Sequence, residues 1–315
     1  MHPAFSVIFF TTSSGAGYGM LALLGVLAPL ELVPAGRWFA ATSLGFALAL
    51  ISAGLIASTF HLGHPERAWR SISQWRSSWL SREGIAALVT YIPAGVFALG
   101  WIIVGSPAGP LAWIGVASAV MAAITLYCTA MIYAALRPVH QWHNSHVTPV
   151  YLLLALSSGA VWLNALVLMW GQPVRDVGLL ALLALATAAW AKWRYWRFID
   201  TTRAPSTPET ATGLVGRGKV RLLDPPHTEE NFLQQEMGFR IARKHARKLR
   251  RIALGLGFGL PVVLVVLTLV TAGVVAAVVA LLAALSSMLG ILIERWLFFA
   301  EAKHTVMLYY GATGA

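Results

Sequence analysis

The sequence has few charged residues and a single cysteine, and each shortage excludes a class of protein. Charged residues make up 11% of the 315 residues, whereas soluble domains carry about 25%. Because Cys128 is the one cysteine, the chain has neither an intrachain disulfide framework nor its own cysteine-ligated iron–sulfur cluster. The mean hydropathy is +0.70, and apolar stretches long enough to cross a hydrocarbon core of about 30 Å recur along the chain. The sequence therefore predicts an integral membrane protein.

The long apolar runs predict an all-α protein, a bundle of eight transmembrane helices. Strands of a membrane β-barrel would alternate in polarity over about ten residues, and these runs do not alternate. A tight turn near Thr271 and Gly273 divides the last run, because one helix of that length would exceed the bilayer. We predict a single membrane domain over 1–315, with spans at about 5–30, 39–60, 84–104, 112–135, 148–170, 176–196, 252–272 and 275–299.

Basic residues are distributed unequally between the two sides of the predicted bundle. With eight spans, every Lys and Arg except Arg37 and Arg175 falls on the side of the two termini. Cytoplasmic loops carry the excess of Lys and Arg in membrane proteins. We therefore predict that both termini and the loop after the second span face the cytoplasm, in the inner membrane of a bacterium.

The predicted sixth loop, 197–251, is long and ends in a strongly basic segment. Its first part is rich in Thr, Pro and Gly, which indicates irregular structure. Basic residues three and four positions apart share one face of a helix. This face predicts contact with anionic lipid or docking of a cytoplasmic partner, and nucleic-acid binding is not expected. The docking residues are Arg240, Arg243, Lys244, Arg247, Lys248 and Arg251.

Ionisable residues cluster near the predicted cytoplasmic ends of the spans, and almost none lies at mid-depth. The segment 61–68, His-Leu-Gly-His-Pro-Glu-Arg-Ala, ends the second span, and Glu83 opens the third. An ionisable group at the bilayer centre costs about 2.5–3.5 kcal/mol, so this placement is informative. A polar cluster at one end of an apolar bundle suits a ligand with a polar head and an apolar tail. A transporter instead needs polar sites near mid-depth.

These residues also have simpler structural interpretations. His61 can cap its helix at the membrane surface, and Glu83 can be an acid in a first helical turn capped by Ser81. In the first span, small and hydroxyl-bearing residues surround Gly15 and Tyr18. Such a segment favours close helix packing, or alternatively a wall that lets a flat ring approach the backbone. No histidine, carboxylate or cysteine spacing predicts a metal site.

Two motifs resemble the membrane-anchor subunits of dimethyl-sulfoxide-reductase-type molybdoenzymes, the DmsC-like family. They are His61-Leu-Gly-x-Pro-x-Arg-Ala68 and Leu80-Ser-x-Glu83. The polar first span and Arg295 in the last span are also similar. The resemblance covers essentially the whole chain, although the long sixth loop departs from the shorter prototype. It implies a three-subunit complex in which a molybdopterin subunit and a four-cluster iron–sulfur subunit exchange electrons with ubiquinone or menaquinone bound in this anchor.

The resemblance also implies a quinone site made by His61, Arg67 and Glu83, to which we add Gly15, Tyr18 and Arg295. A histidine that titrates near neutrality can donate a hydrogen bond and a proton to a quinone oxygen. Arg67 would stabilise negative charge on that oxygen, and Glu83 would relay a second proton. No haem or metal is expected in this chain, so its electrons must come from a partner. The expected catalytic residues are His61 and Glu83.

The predicted orientation separates this chain from the family prototypes, which face their catalytic subunits outward. Here the charges place the segment 61–68 inside, and that arrangement resembles the cytoplasmic sulfite-dehydrogenase type, which oxidises sulfite and reduces quinone. A quinol-oxidising anchor of an S- or N-oxide reductase is the nearest alternative. A haem b anchor, whose paired histidines would lie within the bundle, and a transporter or structural tether are more distant alternatives.

Overall fold

The computed structural model describes residues 5–60, 62–172, 175–224, 229, 240–312 and 314, without the side chains of 240–242. The described residues contain helices and no strand, and eight helical segments among them are long and apolar enough to cross a membrane. The all-α class is confirmed. The helices are α1 Phe5–Leu27, α2 Arg37–Thr59, α3 Trp79–Val104, α4 Pro110–Ala134, α5 Val147–Met169, α6 Arg175–Thr201, α7 Pro208–Thr212, α8 Arg240–Leu254, α9 Leu260–Thr268 and α10 Gly273–Ala300.

Three helices differ most from the predicted spans in where they begin or end. α3 starts at Trp79 because the Ser78 side chain, and not Ser81, accepts a hydrogen bond from the backbone N–H of the third helical residue. Glu83 therefore lies inside the helix and not at its entrance. α6 continues to Thr201 and α8 begins at Arg240, so both ends of the predicted loop 197–251 are helical.

The central helix of the bundle is α1, which packs against α2, α4, α5 and α10. Glycines let its backbone touch a neighbour directly, as the sequence suggested. A Cβ atom on Gly19 would lie 1.9 Å from the carbonyl oxygen of Ala155 in α5. On the facing helix, a Cβ atom on Gly159 would lie 2.3 Å from the backbone nitrogen of Met20. Small residues on both sides therefore bring α1 and α5 into backbone contact.

The seventh span consists of α8, a π turn at Gly255–Gly259 and α9. The turn precedes Pro261, which has no N–H to donate to an earlier carbonyl. Two serines of α10 supply donors instead: Ser286 Oγ bonds the Leu256 carbonyl at 2.8 Å, and Ser287 Oγ bonds the Gly257 carbonyl at 3.3 Å. The irregular backbone is thus satisfied by a neighbouring helix, as the membrane interior requires.

The last apolar run is divided where the sequence predicts. α9 ends at Thr268 and α10 begins at Gly273, whose φ of 60° lies in the left-handed region that favours glycine. Successive spans run in opposite directions. As a result, α2, α4, α6 and α10 finish at the same end of the bundle at which α3 and α5 begin. We call this the charged end.

Candidate functional site

A narrow cavity with both polar and apolar walls lies inside the bundle, toward the charged end. Its walls come from α1, α4, α5 and α10, and its volume of about 10 Å³ is room for about one water molecule. The polar lining residues are Thr11, Thr12, Ser14, Thr129, Tyr151, Ser158 and Arg295, and the others are Gly15, Leu126, Leu154, Ala155 and Ile291.

Glu83 reaches this cavity through a threonine. Its side chain is buried, with 5% exposed, and the Thr129 hydroxyl donates a hydrogen bond of 2.5 Å to its Oε1. Thr129 itself lines the cavity. Glu83 is also close enough to Tyr18, Tyr133 and Tyr151 to interact with each electrostatically. An ionisable group inside a span is expensive to keep there, which favours a functional role.

Arg295 brings a positive charge to the cavity wall. It is 2% exposed, and its guanidinium carbon lies 3.7 Å from the ring centroid of Tyr151, a close cation–π contact. Among the described residues, the Nη1 of Arg295 and the hydroxyl of Tyr151 have no hydrogen-bond partner. Two buried donors are therefore available to an oxygen atom of a ligand.

A buried ion pair stands next to Arg295. Lys192 and Glu294 are completely buried, and the Nζ of Lys192 contacts the Oε1 of Glu294. The other carboxylate oxygen of Glu294 lies 3.4 Å from the Nε of Arg295. The Lys192 ammonium also sits 4.0 Å from the ring centroid of Tyr195. The carboxylate of Glu294 is thus the counter-ion of two cations inside the bundle.

Comparison with known proteins identifies the family. Residues 1–301 match the family described as DMSO reductase anchor subunit (DmsC).

The chain belongs to this family.

The anchor is 36% identical to a sulfite dehydrogenase subunit of Allochromatium vinosum, over 98% of this chain and 99% of that protein. It is 28% identical to the anaerobic dimethyl sulfoxide reductase chain YnfH of Escherichia coli K12, over 51% of this chain and 56% of that protein. The resemblance inferred from the two motifs is confirmed. The chain is an anchor subunit of a DMSO-reductase-type oxidoreductase complex and a homologue of that sulfite dehydrogenase subunit.

The predicted site residues of the anchor divide into two groups. Gly15 and Arg295 line the cavity, and Glu83 contacts the cavity residue Thr129. Tyr18 is buried and interacts electrostatically with Glu83, and its hydroxyl has no hydrogen-bond partner within the described part of the chain. These predicted residues come from three helices, α1, α3 and α10, and the structure brings them together.

The described residues of the segment after α2, 62–68, are not part of this group. His61 lies outside the described residues. Arg67 is exposed on a short 3-10 helix, Pro65–Gln74, where its Nε lies 3.7 Å from Glu66. Arg67 is absent from the described lining of the cavity. Glu66 also bonds the Nδ1 of His64 at 3.0 Å. This segment forms its own polar group at the surface of the charged end.

The predicted docking residues are also divided by the structure. Arg243 is half-buried and donates hydrogen bonds to the carbonyls of Ala300 and Ala302, at 3.2 and 2.8 Å, which fastens α8 to the end of α10. The side chain of Arg240 lies outside the described residues. The remaining four are exposed: Lys244, Arg247, Lys248 and Arg251.

Histidines at the charged end have partners other than a metal. His140 Nε2 lies 2.8 Å from the Thr202 hydroxyl, and His143 Nδ1 lies 2.7 Å from the Ala134 carbonyl. Partial burial and the neighbouring His143 lower the pKa of His140. No group of three or more His, Cys, Asp or Glu side chains that could hold a metal ion occurs among the described residues.

Sequence reasoning missed Thr129, Tyr151 and Lys192 as site residues. Thr129 and Tyr151 are of ordinary types for a membrane helix, and only the tertiary structure joins them to Glu83 and Arg295. Lys192 had a usable signal, because it lies inside the predicted span 176–196. The charge distribution assigns Lys192 to the basic side of the bundle, and this assignment hid the fact that an ionisable group lies within a span.

Proposed function

We propose that this anchor binds quinone at the charged end of the bundle and passes to it electrons from an iron–sulfur subunit. The observation that carries the proposal is the pairing of Glu83 with Thr129 at a cavity that Arg295 also lines. The cavity thereby combines a carboxyl group, a hydroxyl group and a cation, all buried. Family membership supports the same role, since its members are anchors of oxidoreductase complexes.

The residues suit the chemistry of quinone reduction, in which one quinone takes up two electrons and two protons. Glu83 is the proton donor, and Thr129 orients its carboxyl group. Arg295 and Tyr151 donate hydrogen bonds to a quinone oxygen and stabilise the negative charge that develops there. Gly15 and Tyr18 border the ring. The resemblance also assigns His61 and Arg67 to the site, and Arg67 lies at the surface of the charged end, outside the described lining of the cavity.

The cavity as it stands is too small for the ring. Room for about one water accommodates a carbonyl oxygen, whereas ligand pockets measure about 300–1,000 Å³. We infer that the head of the quinone displaces side chains of the wall when it binds. The water-sized space then marks where the quinone oxygen comes to lie.

The proposed direction of electron flow is supported by the predicted orientation and by a relative. The distribution of Lys and Arg supports placing the charged end in the cytoplasm of the bacterial inner membrane. The homologue over nearly the full length is a sulfite dehydrogenase subunit. We therefore propose that the complex oxidises sulfite in the cytoplasm and reduces quinone. Its molybdopterin subunit is joined to the anchor through a four-cluster iron–sulfur subunit.

The exposed basic face of α8 is the proposed docking surface for that iron–sulfur subunit. Lys244, Arg247, Lys248 and Arg251 lie at the charged end. Opposite charges on a partner would attract this face and speed association. Anionic lipid can occupy the margin of the same face.

The test uses the assembled three-subunit complex in membrane vesicles. We expect sulfite to drive reduction of a short-chain ubiquinone analogue, and Glu83→Gln to slow this reaction about 100-fold, the usual range for a lost proton donor. Asp224→Asn, which alters an exposed carboxylate of the long loop, is the control and leaves the rate unchanged. Equal turnover in Glu83→Gln and wild type would refute the site. Quinol-driven reduction of an S-oxide without sulfite activity would instead support the reductase direction.

A further inference from the structure

A groove opens at the charged end, on the surface beside the buried ion pairs. Its volume is about 600 Å³, and its lining includes Asp200, Arg250, Glu301 and Lys303. Arg250 bonds the Oε1 of Glu301 at 2.7 Å and both carboxylate oxygens of Asp200. The other oxygen of Glu301 has no hydrogen-bond partner within the described part of the chain. Burial raises the pKa of Glu301, which brings its protonation closer to neutral pH although Arg250 opposes the shift.

The groove and the internal cavity are joined by a series of charged side chains. Glu301 borders the groove, and the charge of Lys192 acts on it without a hydrogen bond or ion pair between the two among the described contacts. Lys192 contacts Glu294, and Glu294 lies beside Arg295, which lines the cavity. Lys192 and Glu294 have no exposed surface. The series therefore begins at water and ends at the proposed quinone site.

The order of residue types decides which side chains can pass a proton, because carboxyl groups alternate with a lysine along the series. A guanidinium keeps its protons in proteins, so Arg250 and Arg295 can only hold the neighbouring carboxylates in place. A lysine and a carboxyl group can both change protonation when buried. The residues that can exchange protons are thus Glu301, Lys192 and Glu294, in that order from the groove inward.

We propose that Glu301, Lys192 and Glu294 form a relay that carries protons from the groove to the cavity during quinone reduction. The inference rests on the proposed function and adds a proton route to it. In each step Lys192 gives a proton to Glu294, so that one N–H bond breaks and one O–H bond forms. Glu301 then reprotonates Lys192 through an intervening water molecule, and Glu301 regains its proton by taking up a solvated proton from the groove. Glu294 does not line the cavity and Arg295 keeps its protons, so a water molecule beside Arg295 carries the proton from Glu294 to the quinone oxygen. The two electrons of the quinone come from the iron–sulfur subunit.

The relay is tested with Lys192→Met and Glu294→Gln in the assembled complex in vesicles. We expect sulfite-driven quinone reduction to fall about tenfold in each variant, less than for loss of a direct proton donor. The solvent deuterium isotope effect should rise, while affinity for a quinone-site inhibitor stays unchanged. Added azide, whose neutral acid form enters membranes, should restore turnover. Arg194→Met is the control, because this cation is exposed two positions from Lys192 on α6.

The outcomes separate the relay from the function on which it rests. If the wild-type complex does not reduce quinone, the proposed function fails and the relay falls with it. If the wild type reduces quinone and assembled Lys192→Met does so equally fast, the relay alone is wrong. A slow variant that azide does not restore, with an unchanged isotope effect, would assign the pair a structural role and overturn the proposal. Lys192→Met keeps Glu294 paired with Arg295, so it provides the test if Glu294→Gln fails to assemble.

Discussion

Two sets of charged residues at the same end of the bundle have opposite surroundings. Lys192, Glu294 and Arg295 lie within the bundle with almost no exposed surface. The exposed basic residues of α8, Lys244, Arg247, Lys248 and Arg251, face outward. Both sets contribute to the basic character of this end, but only the first set is held by the packing of several helices.

This difference shows that the charge of a residue does not by itself indicate its role, which also depends on burial. A buried charge must be paired and hydrogen-bonded, since its desolvation is costly, and the loss of one partner leaves another charge uncompensated. An exposed charge is screened by water and salt and contributes little to stability. Its effect is on encounters with lipid or a partner. Substitutions should therefore separate the two sets by the property that changes.

The largest effect is expected where one anion serves two cations. Glu294→Ala leaves Lys192 and Arg295 buried without a counter-charge, and should lower the free energy of unfolding by about 3–5 kcal/mol. Unfolding in detergent micelles by added dodecyl sulfate measures this change. Lys192→Met should lower the free energy of unfolding by less, because Glu294 remains paired with Arg295. Equal costs for Glu294→Ala and for Glu66→Ala, an exposed carboxylate, would remove the distinction between buried and exposed charges.

A cation at the cavity should matter for ligand affinity more than a cation at the surface. Arg295→Met removes the buried donors beside Tyr151, and a hydrogen bond to a charged group contributes about 1.5–3 kcal/mol. We expect a quinone-site inhibitor to bind about 10- to 100-fold more weakly. Arg197→Met, an exposed cation on α6, should leave inhibitor affinity unchanged. An equal loss of inhibitor affinity in both variants would mean that Arg295 contributes only to the overall positive potential of this end and donates no specific hydrogen bond.

A smaller effect is expected from a single hydroxyl group. Thr129→Val removes the hydrogen bond to Glu83 with little change of shape, at a cost of about 0.5–1.5 kcal/mol. Quinone turnover by the complex should fall about two- to tenfold. Thr42→Val is the control, because that hydroxyl bonds only carbonyls of its own helix, those of Trp38 and Phe39. No difference between the two variants would argue against a role for Thr129 in orienting Glu83.

The exposed face of α8 should affect assembly and not stability. Replacing Lys244, Arg247 and Lys248 together by Gln should change the free energy of unfolding by less than about 0.5 kcal/mol per position. The iron–sulfur subunit should nevertheless dissociate at lower salt, which pull-down at increasing ionic strength measures. The matched triple replaces the exposed residues Arg217, Lys219 and Arg221 of the long loop by Gln. Equal salt sensitivity in both triples would place the docking surface elsewhere.

The sequence predicts the fold well because hydrophobic runs of membrane length have few alternative structures. It predicts helix bounds less well: the cap at Ser78 and the π turn before Pro261 depend on local hydrogen bonds that hydropathy does not report. Within the proposed site, Glu83 and Arg295 come from the resemblance to the family. Thr129 and Tyr151 could not be predicted, because their significance arises from contacts between helices far apart in sequence.

The hydroxyl groups of α1 bear on how the protein is built into the membrane. Thr12 and Ser14 donate to carbonyls of their own helix, those of Ile8 and Phe10, at 2.8 and 2.6 Å. Such internal bonding satisfies a polar side chain before any neighbour is present. Since α4 and α5 follow α1 in the chain, ribosomes complete them later than α1. The polar helix α1 can therefore lie in lipid before its neighbours are synthesised. Ser13 is different, because its hydroxyl donates to the carbonyl of Leu50 in α2, at 2.8 Å, and α2 is the next helix to be synthesised.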